Sequence, residues 1–437
     1  MSDSPPTAGM SEASLRGAIK SYLRAAIKNS TRAVIRIPVR ATIVGLIGMT
    51  ALGSPGVAAQ SAPDSFGEAY ERFLNGPEHS GDVPTGRLEL TRTNQDGLLH
   101  RYVLIVPENY DATRRYPVAF YLHGGVSRPD PGPGGGWWRN YDNVTGYDRI
   151  AVLPLSWNES LWWQASQVEN LRGILSDLKR TYNVDENRIY AFGSSDGGTG
   201  VYFLAFRDVT PWAAFLPFIG FPGVLLNTST GTDGQMHLAN LTNKPLFIVS
   251  GETDRLYPAR LMQPFLQAFE SVGVDFVFTV KQADHTTRWW PEEADNIERF
   301  LEANPRDPHP ERILWATERT DRYNRTHWVV IDEIGPVAGD DQRGDLASLS
   351  ADGLGGVVEA VRDGNDVIVD AYHVRRLTLL ISPDVFDVRS PIRVIANGEV
   401  AFEGMVQPSV DTLRKWAARD HDRTMLYAAE ITLELDR

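Results

Sequence analysis

The stretch AFGSSDGGTG, residues 191–200, decides how this chain is read. It follows the apolar run RIY and leads into VYFLAF. That is the pattern of a buried strand, a tight turn and a buried helix. Within it Gly193-Ser194-Ser195-Asp196-Gly197 matches G-x-S-x-G with Ser195 at the centre. Between a strand and a helix this motif has a mechanical meaning. The turn is tight enough to demand glycine at its flanks, and it lifts one hydroxyl above the sheet. It also sets that hydroxyl at a helix N-terminus, where free backbone N–H groups face a developing oxyanion. A phosphate-binding loop is excluded, because the lysine of G-x-x-x-x-G-K-[ST] is missing. A plain glycine turn would carry the same letters, so the rest of the chain has to decide.

Outward from the motif, residues 87–111 read as two strands about the turn Asp96-Gly97. YPVAFYLHGG (116–125), RIAVLPLS (149–156), PLFIVSG (245–251) and VDFVFTVK (274–281) read as apolar strands. Residues 166–184, 259–271 and 291–303 have helical period. Apolar strands alternating with amphipathic helices predict a doubly wound, mostly parallel α/β sheet, with sites at the carboxyl ends of its strands. Beyond the proline-rich joint NPRDPHPER (304–312) the texture changes to hairpins, turning at Asp363-Gly364 and Asn397-Gly398, with one helix at 409–420. A smaller, mostly β unit of residues 309–437 is therefore expected after an α/β unit of residues 61–308. Contacts between the two are expected to be modest and polar.

A serine hydroxyl needs a base to take its proton. In this architecture the acid follows a later strand and the histidine follows the last, in the order Ser, Asp/Glu, His. Asp254 lies in the loop after PLFIVSG, and His285 directly follows VDFVFTVK. Glu252 is the rival acid, two residues before Asp254. His309, His327, His373 and His421 fall in the joint or the β unit. The early strand ends in His123-Gly124-Gly125. The loop after it should supply one backbone oxyanion donor and the residue after the nucleophile, Asp196, the other. Gly125 is the first choice for that loop, with Gly124 and Val126 as alternatives.

On LHGG, GSSDGG, SGETD and ADH, residues 87–304 resemble the α/β-hydrolase superfamily, and within it bacterial secreted esterases of the feruloyl esterase and polyhydroxybutyrate depolymerase-like type. The resemblance implies Ser195 as nucleophile, His285 as general base and then acid, and Asp254 as orienting carboxylate. It implies a serine esterase that needs neither metal nor organic cofactor, acting on a small or polymeric ester. Such relatives often carry disulfides. This chain has no cysteine. Its absence also rules out thiolate metal sites and a cysteine nucleophile. Two rivals remain at this point: a compact serine peptidase on the same fold, and an inert envelope protein whose β unit binds glycan.

The first sixty residues differ from the rest. Arg16, Lys20, Arg24, Lys28, Arg32, Arg36 and Arg40 recur every four residues, and the thirteen uncharged residues 41–53 and the small Val57 and Ala59 follow. This is the order of a secretory signal peptide, residues 1–60, and predicts a secreted or periplasmic protein. An amphipathic helix making transient membrane contact and a disordered basic tail are the alternatives. The chain as a whole carries a formal charge of −13, which argues against nucleic acid as a partner. Seven of its eleven tryptophans fall in loops of the α/β unit. Trp138, Trp163 and Trp289 are the expected substrate contacts.

Overall fold

The computed structural model describes residues 65–140, 147–350 and 354–435. The signal-peptide segment lies outside the described residues. Among those described, no helix is long and apolar enough to cross a membrane.

Eight strands form one sheet: β1 (Gly86–Thr93), β2 (Leu99–Val106), β3 (Tyr116–Leu122), β4 (Ile150–Pro154), β5 (Val184–Ser194), β6 (Ala214–Phe218), β7 (Leu246–Gly251) and β8 (Phe276–Lys281). Their order is β1-β2-β4-β3-β5-β6-β7-β8. Only β2 runs against the others: it pairs antiparallel with β1 and β4, and every pairing from β4 to β8 is parallel. This is the α/β-hydrolase fold. Alternate residues of β3 enter opposite cores, Val118 and Phe120 on one face, Ala119 and Tyr121 on the other. Helices α2 (Ala165–Thr181), α3 (Asp196–Arg207) and α4 (Gln263–Val272) cover the first face, and α5 (Trp290–Ala303) covers the second.

The sequence pattern missed β6. Its five residues, AFLPF, include Pro217, which has no N–H for the ladder and argues against an interior strand. The structure accommodates it by interrupting one pairing. β6 matches β5 from Tyr190 to Ser194 but meets β7 only at Phe215–Leu246 and Phe218–Val249.

The remaining strands build two further sheets. One has five strands: β16 (Glu399–Gly404), β15 (Ile392–Ala396), β13 (Asp366–Tyr372), β12 (Gly356–Asp363) and β9 (Arg312–Thr317). The other has four: β10 (Arg325–Thr326), β11 (Val329–Ile334), β14 (Val374–Ile381) and β17 (Ala429–Glu434). Asn397 and Gly398 both take positive φ, 52° and 85°, as the expected hairpin turn requires.

Contact between the α/β and β regions is neither modest nor mainly on the surface. One apolar core runs from Phe120 and Val201 through Trp315, Trp328 and Leu379. The Arg423 guanidinium donates to both Glu186 carboxylate oxygens (2.5 and 3.0 Å), to Asn183 Oδ1 and to the Val184 carbonyl, all buried. Asp422 receives Arg306 at 2.9 Å and Lys179 at 3.3 Å. Burial alone would raise the Asp422 carboxyl, but these two cations hold it well below the ordinary carboxylate range. The Asn240 side chain completes β9 from outside, donating to the Ala316 carbonyl at 2.9 Å and accepting the Ala316 N–H at 2.7 Å. Helix α1 (Phe66–Asn75) packs Ala69 on Leu413 and Ala417 of α6 (Val410–Asp420).

A chain cut to residues 61–308 would lose Arg423 and Asp422 from Glu186 and Lys179 and uncover the apolar core that continues into Trp315, Trp328 and Leu379. Apolar surface left open to water costs about 25 cal/mol per Å², against a total stability of only about 5–15 kcal/mol. The truncated chain is therefore expected to show no cooperative thermal transition, with calorimetry as the check. A melt close to that of the full chain would show that the shared core is dispensable.

Candidate active site

Ser195 sits between β5 and α3 with φ 55° and ψ −121°, a conformation strained for any side chain. Its neighbours leave no alternative to glycine. A Cβ on Gly193 would lie 2.1 Å from the Gly197 carbonyl oxygen, and one on Gly197 1.9 Å from that of Leu122. The Ser195 N–H donates to the Phe218 carbonyl at 3.0 Å, which fixes the turn to β6. The two flanking glycines of the motif thus hold a strained serine over the end of the central strand.

Two loops bring side chains to it. After β7, Asp254 is buried, 2% exposed. Its Oδ1 accepts the N–H groups of Leu256 (2.8 Å) and Tyr257 (3.0 Å). Its Oδ2 accepts from His285 Nδ1 at 2.7 Å, and His285 Nε2 meets Ser195 Oγ at 2.7 Å. A carboxylate can only accept, so Nδ1 carries the proton and Nε2 is free to accept the serine hydroxyl. Backbone bonds staple the two loops together, Glu252 N–H to the Lys281 carbonyl at 2.9 Å and Thr253 N–H to the Ala283 carbonyl at 3.1 Å. Gly251 permits this approach, since a Cβ there would lie 2.6 Å from the Ala283 oxygen. The rival carboxylate Glu252 is exposed. Tyr257 backs the imidazole edge-on, ring centres 5.7 Å apart.

His123 is a brace. Its Nε2 accepts the Ser156 N–H at 3.0 Å, and its Nδ1–H donates to the Gly124 carbonyl at 2.8 Å. Burial lowers its pKa, which keeps the ring neutral as those roles require. The Trp162 indole in turn donates to the His123 carbonyl at 2.8 Å.

Gly125 does not occupy the place expected of it. Its N–H donates to the Asp196 carboxylate at 3.0 Å, and the Val126 N–H donates to the same oxygen at 3.0 Å. The residue after Ser195 thus uses its side chain to pin the loop after β3. Both amides are engaged there instead of facing the serine. Gly124 is the loop residue against Ser195: a Cβ on it would lie 2.8 Å from Ser195 Cβ and 3.3 Å from Oγ. With the Gly125 and Val126 N–H groups engaged, Gly124 is the remaining one of the three loop candidates. Gly124→Ala keeps the backbone N–H, but its Cβ would press on Ser195 Cβ and Oγ, and the displaced nucleophile is expected to cut kcat about 10²-fold. Steady-state kinetics on a purified variant checks it, and unchanged kcat would remove Gly124 from the site.

These residues open into a cleft of about 1810 Å³. Of the three tryptophans expected there, only Trp163 lines it, its indole donating to the Thr230 carbonyl at 2.8 Å. Trp289 is instead buried edge-on against Phe218, 5.2 Å between ring centres. Trp138 turns away under Arg87, whose guanidinium lies 4.0 Å from the ring centre. Their sequence neighbours Trp290 and Trp137 line the cleft in their place. Also in the wall, and missed in the sequence, are Phe218 at the end of β6 and Phe221 and Val224 just after it. Arg128, Arg255, Arg260 and Arg288 line the cleft as well, with no sequence motif to mark them.

No family model matches the chain, and no curated protein matches it. Among solved structures it is similar to a thermostable esterase (22% identity, TM-score 0.40, 50% of this chain and 63% of that one). A ferulic acid esterase aligns at 18% identity and TM-score 0.40, over 49% of this chain and 96% of its own. Porphyromonas gingivalis dipeptidyl peptidase 4 aligns at 16% identity and TM-score 0.39, over 51% and 36%. The likeness covers about half of this chain, and this chain spans less than two thirds of the thermostable esterase and about a third of the peptidase.

Proposed function

We propose that this chain is an exported serine hydrolase that cleaves carboxylic esters through an acyl-enzyme on Ser195. The observation that carries the reading is the hydrogen-bonded line Ser195 Oγ–His285–Asp254, 2.7 Å at each step, at the floor of an open cleft. In the proposed reaction Ser195 Oγ attacks the ester carbonyl carbon while its proton passes to His285 Nε2. The N–H groups of Asp196 and Gly124 hold the oxyanion. As the tetrahedral adduct collapses, the C–O bond to the alcohol breaks and His285 gives that oxygen its proton. Water then enters, loses a proton to His285 and attacks the acyl carbon. Collapse releases the acid and returns the proton to Ser195. Asp254 keeps the imidazole in the tautomer that can accept and stabilises it once charged. No step calls for a metal or an organic cofactor. The cleft exceeds the roughly 300–1,000 Å³ usual for small-ligand pockets, which suits a bulky or polymeric ester. Export rests on the basic stripe and apolar run of residues 1–60.

The test is a panel of aryl esters, feruloyl sugars and aminoacyl anilides offered to the purified full chain. Aryl or feruloyl esters are expected to turn over at least about tenfold faster, by kcat/KM, than the anilides, a barrier difference of about 1.4 kcal/mol. The reverse order would make it a peptidase, and no turnover of any member would reject the reading.

A further inference from the structure

The chain holds 43 lysines and arginines against 56 aspartates and glutamates, but its cleft reverses that balance. Arg128, Arg255, Arg260 and Arg288 line it, all exposed, with Asp196 as the one acidic lining residue among the described residues. The Asp196 carboxylate is already occupied by two backbone N–H groups, and Asp254 behind the site by two more and by His285. Glu252 and Asp284, on the same loops, are exposed and do not line the cleft. Among the described residues, none of the four arginines has a carboxylate partner within salt-bridge distance, whereas Arg149, Arg172, Arg207, Arg306, Arg325 and Arg423 elsewhere all do. Among the described residues, four guanidinium groups without a carboxylate partner line one opening and give it a positive potential that favours an anion. Arginine is also the side chain best shaped to grip a carboxylate or phosphate with two parallel bonds.

Their placement is one-sided. Arg255 directly follows Asp254, Arg260 lies on the next turn of the same loop, and Arg288 stands three residues beyond His285. Only Arg128 belongs to the opposite loop, beside Gly125. His285 must reach the leaving oxygen to protonate it, so the alcohol part of an ester lies on the His285 side.

We infer that the substrate is an anionic ester, its negative charge, a carboxylate or phosphate, carried on the alcohol portion and held by Arg255, Arg260 and Arg288. This rests on the esterase reading above. Such an alcohol would also be drawn to the mouth over a distance set by the Debye length, about 8 Å at physiological salt.

The experiment compares, on the full chain, the butyrate ester of para-hydroxybenzoate with that of its neutral methyl ester, each rate divided by its uncatalysed hydroxide rate. Monophenyl succinate against phenyl pentanoate forms the acyl-side pair. The carboxylate alcohol is expected to give kcat/KM about tenfold higher than its neutral partner at about 0.01 M salt, the ratio shrinking toward one at about 0.3 M. Arg255→Gln, Arg260→Gln and Arg288→Gln combined should bring the ratio to about one at low salt. A ratio near one in the unaltered chain, or a preference only in the acyl-side pair, overturns the inference. Binding separates this from the esterase reading. Full-length Ser195→Ala, titrated calorimetrically with para-hydroxybenzoate and with its methyl ester, should bind the carboxylate about tenfold tighter, and lose that margin in the triple variant. Equal binding overturns the inference whether or not any ester is cleaved.

Discussion

Asp254→Asn is expected to lower kcat by about 10⁴, the scale of losing the orienting carboxylate in a serine protease, while Glu252→Gln leaves kcat within about twofold, as exposed substitutions away from a site generally do. Asparagine keeps the shape of Asp254 and can still accept the Leu256 and Tyr257 N–H groups through its carbonyl. Its amide would then face His285 Nδ1 with N–H groups. The ring would have to place its proton on Nε2, the atom that meets Ser195 Oγ, and could no longer accept the serine proton. The loss is thus one of tautomer and charge with the fold intact, so the melting temperature should move little. Kinetics and a thermal melt on both variants check this. Full activity in Asp254→Asn with loss in Glu252→Gln would reverse the assignment, against the exposed position of Glu252.

The largest effect is expected at the two adjacent serines, and only at one of them. Ser195→Ala should reduce kcat by about 10⁶, the cost of removing the nucleophile in subtilisin. Ser194→Ala should reduce it by less than about tenfold. Ser194 is the last residue of β5 and pairs in register with Phe218. Ser195 is the residue with positive φ and the one whose hydroxyl meets His285. Alanine at 195 inherits the same strained backbone and the same Phe218 bond, so the folded state survives. If Ser194→Ala were the dead variant, the turn would be in the wrong register.

What was legible in the sequence was what depends on local geometry. The G-x-S-x-G turn needs its glycines because backbone passes within about 2 Å of where a Cβ would sit. Asp254 and His285 are set by strand ends that apolar runs reveal. The Asn397-Gly398 turn is set by two residues of left-handed backbone. What depends on distant packing was hidden. Trp289 and Trp290 are neighbours at the start of α5, both buried and both edge-on against Phe218, and only Trp290 also lines the cleft. Gly125 was a reasonable donor until the Asp196 side chain, seventy-one residues away, was seen to claim its N–H. The union of the two regions rests on Arg423 reaching Glu186 across 237 residues, which no local pattern reports. Asn240 substitutes for strand backbone at β9, and its letter gives no sign of it. The four cleft arginines lie on three loops that only the fold brings together.

The central claim is that Ser195 Oγ is activated by His285 and becomes acylated. It is tested most directly by covalent capture. The full chain is incubated with an aryl fluorophosphonate, digested, and its peptides are mapped by mass spectrometry. The account predicts a single adduct, on the peptide containing residues 191–200 and on Ser195 within it, and none in Ser195→Ala or in His285→Ala over the same time. An adduct on Ser194 or another residue, or labelling that persists unchanged without His285, would contradict it.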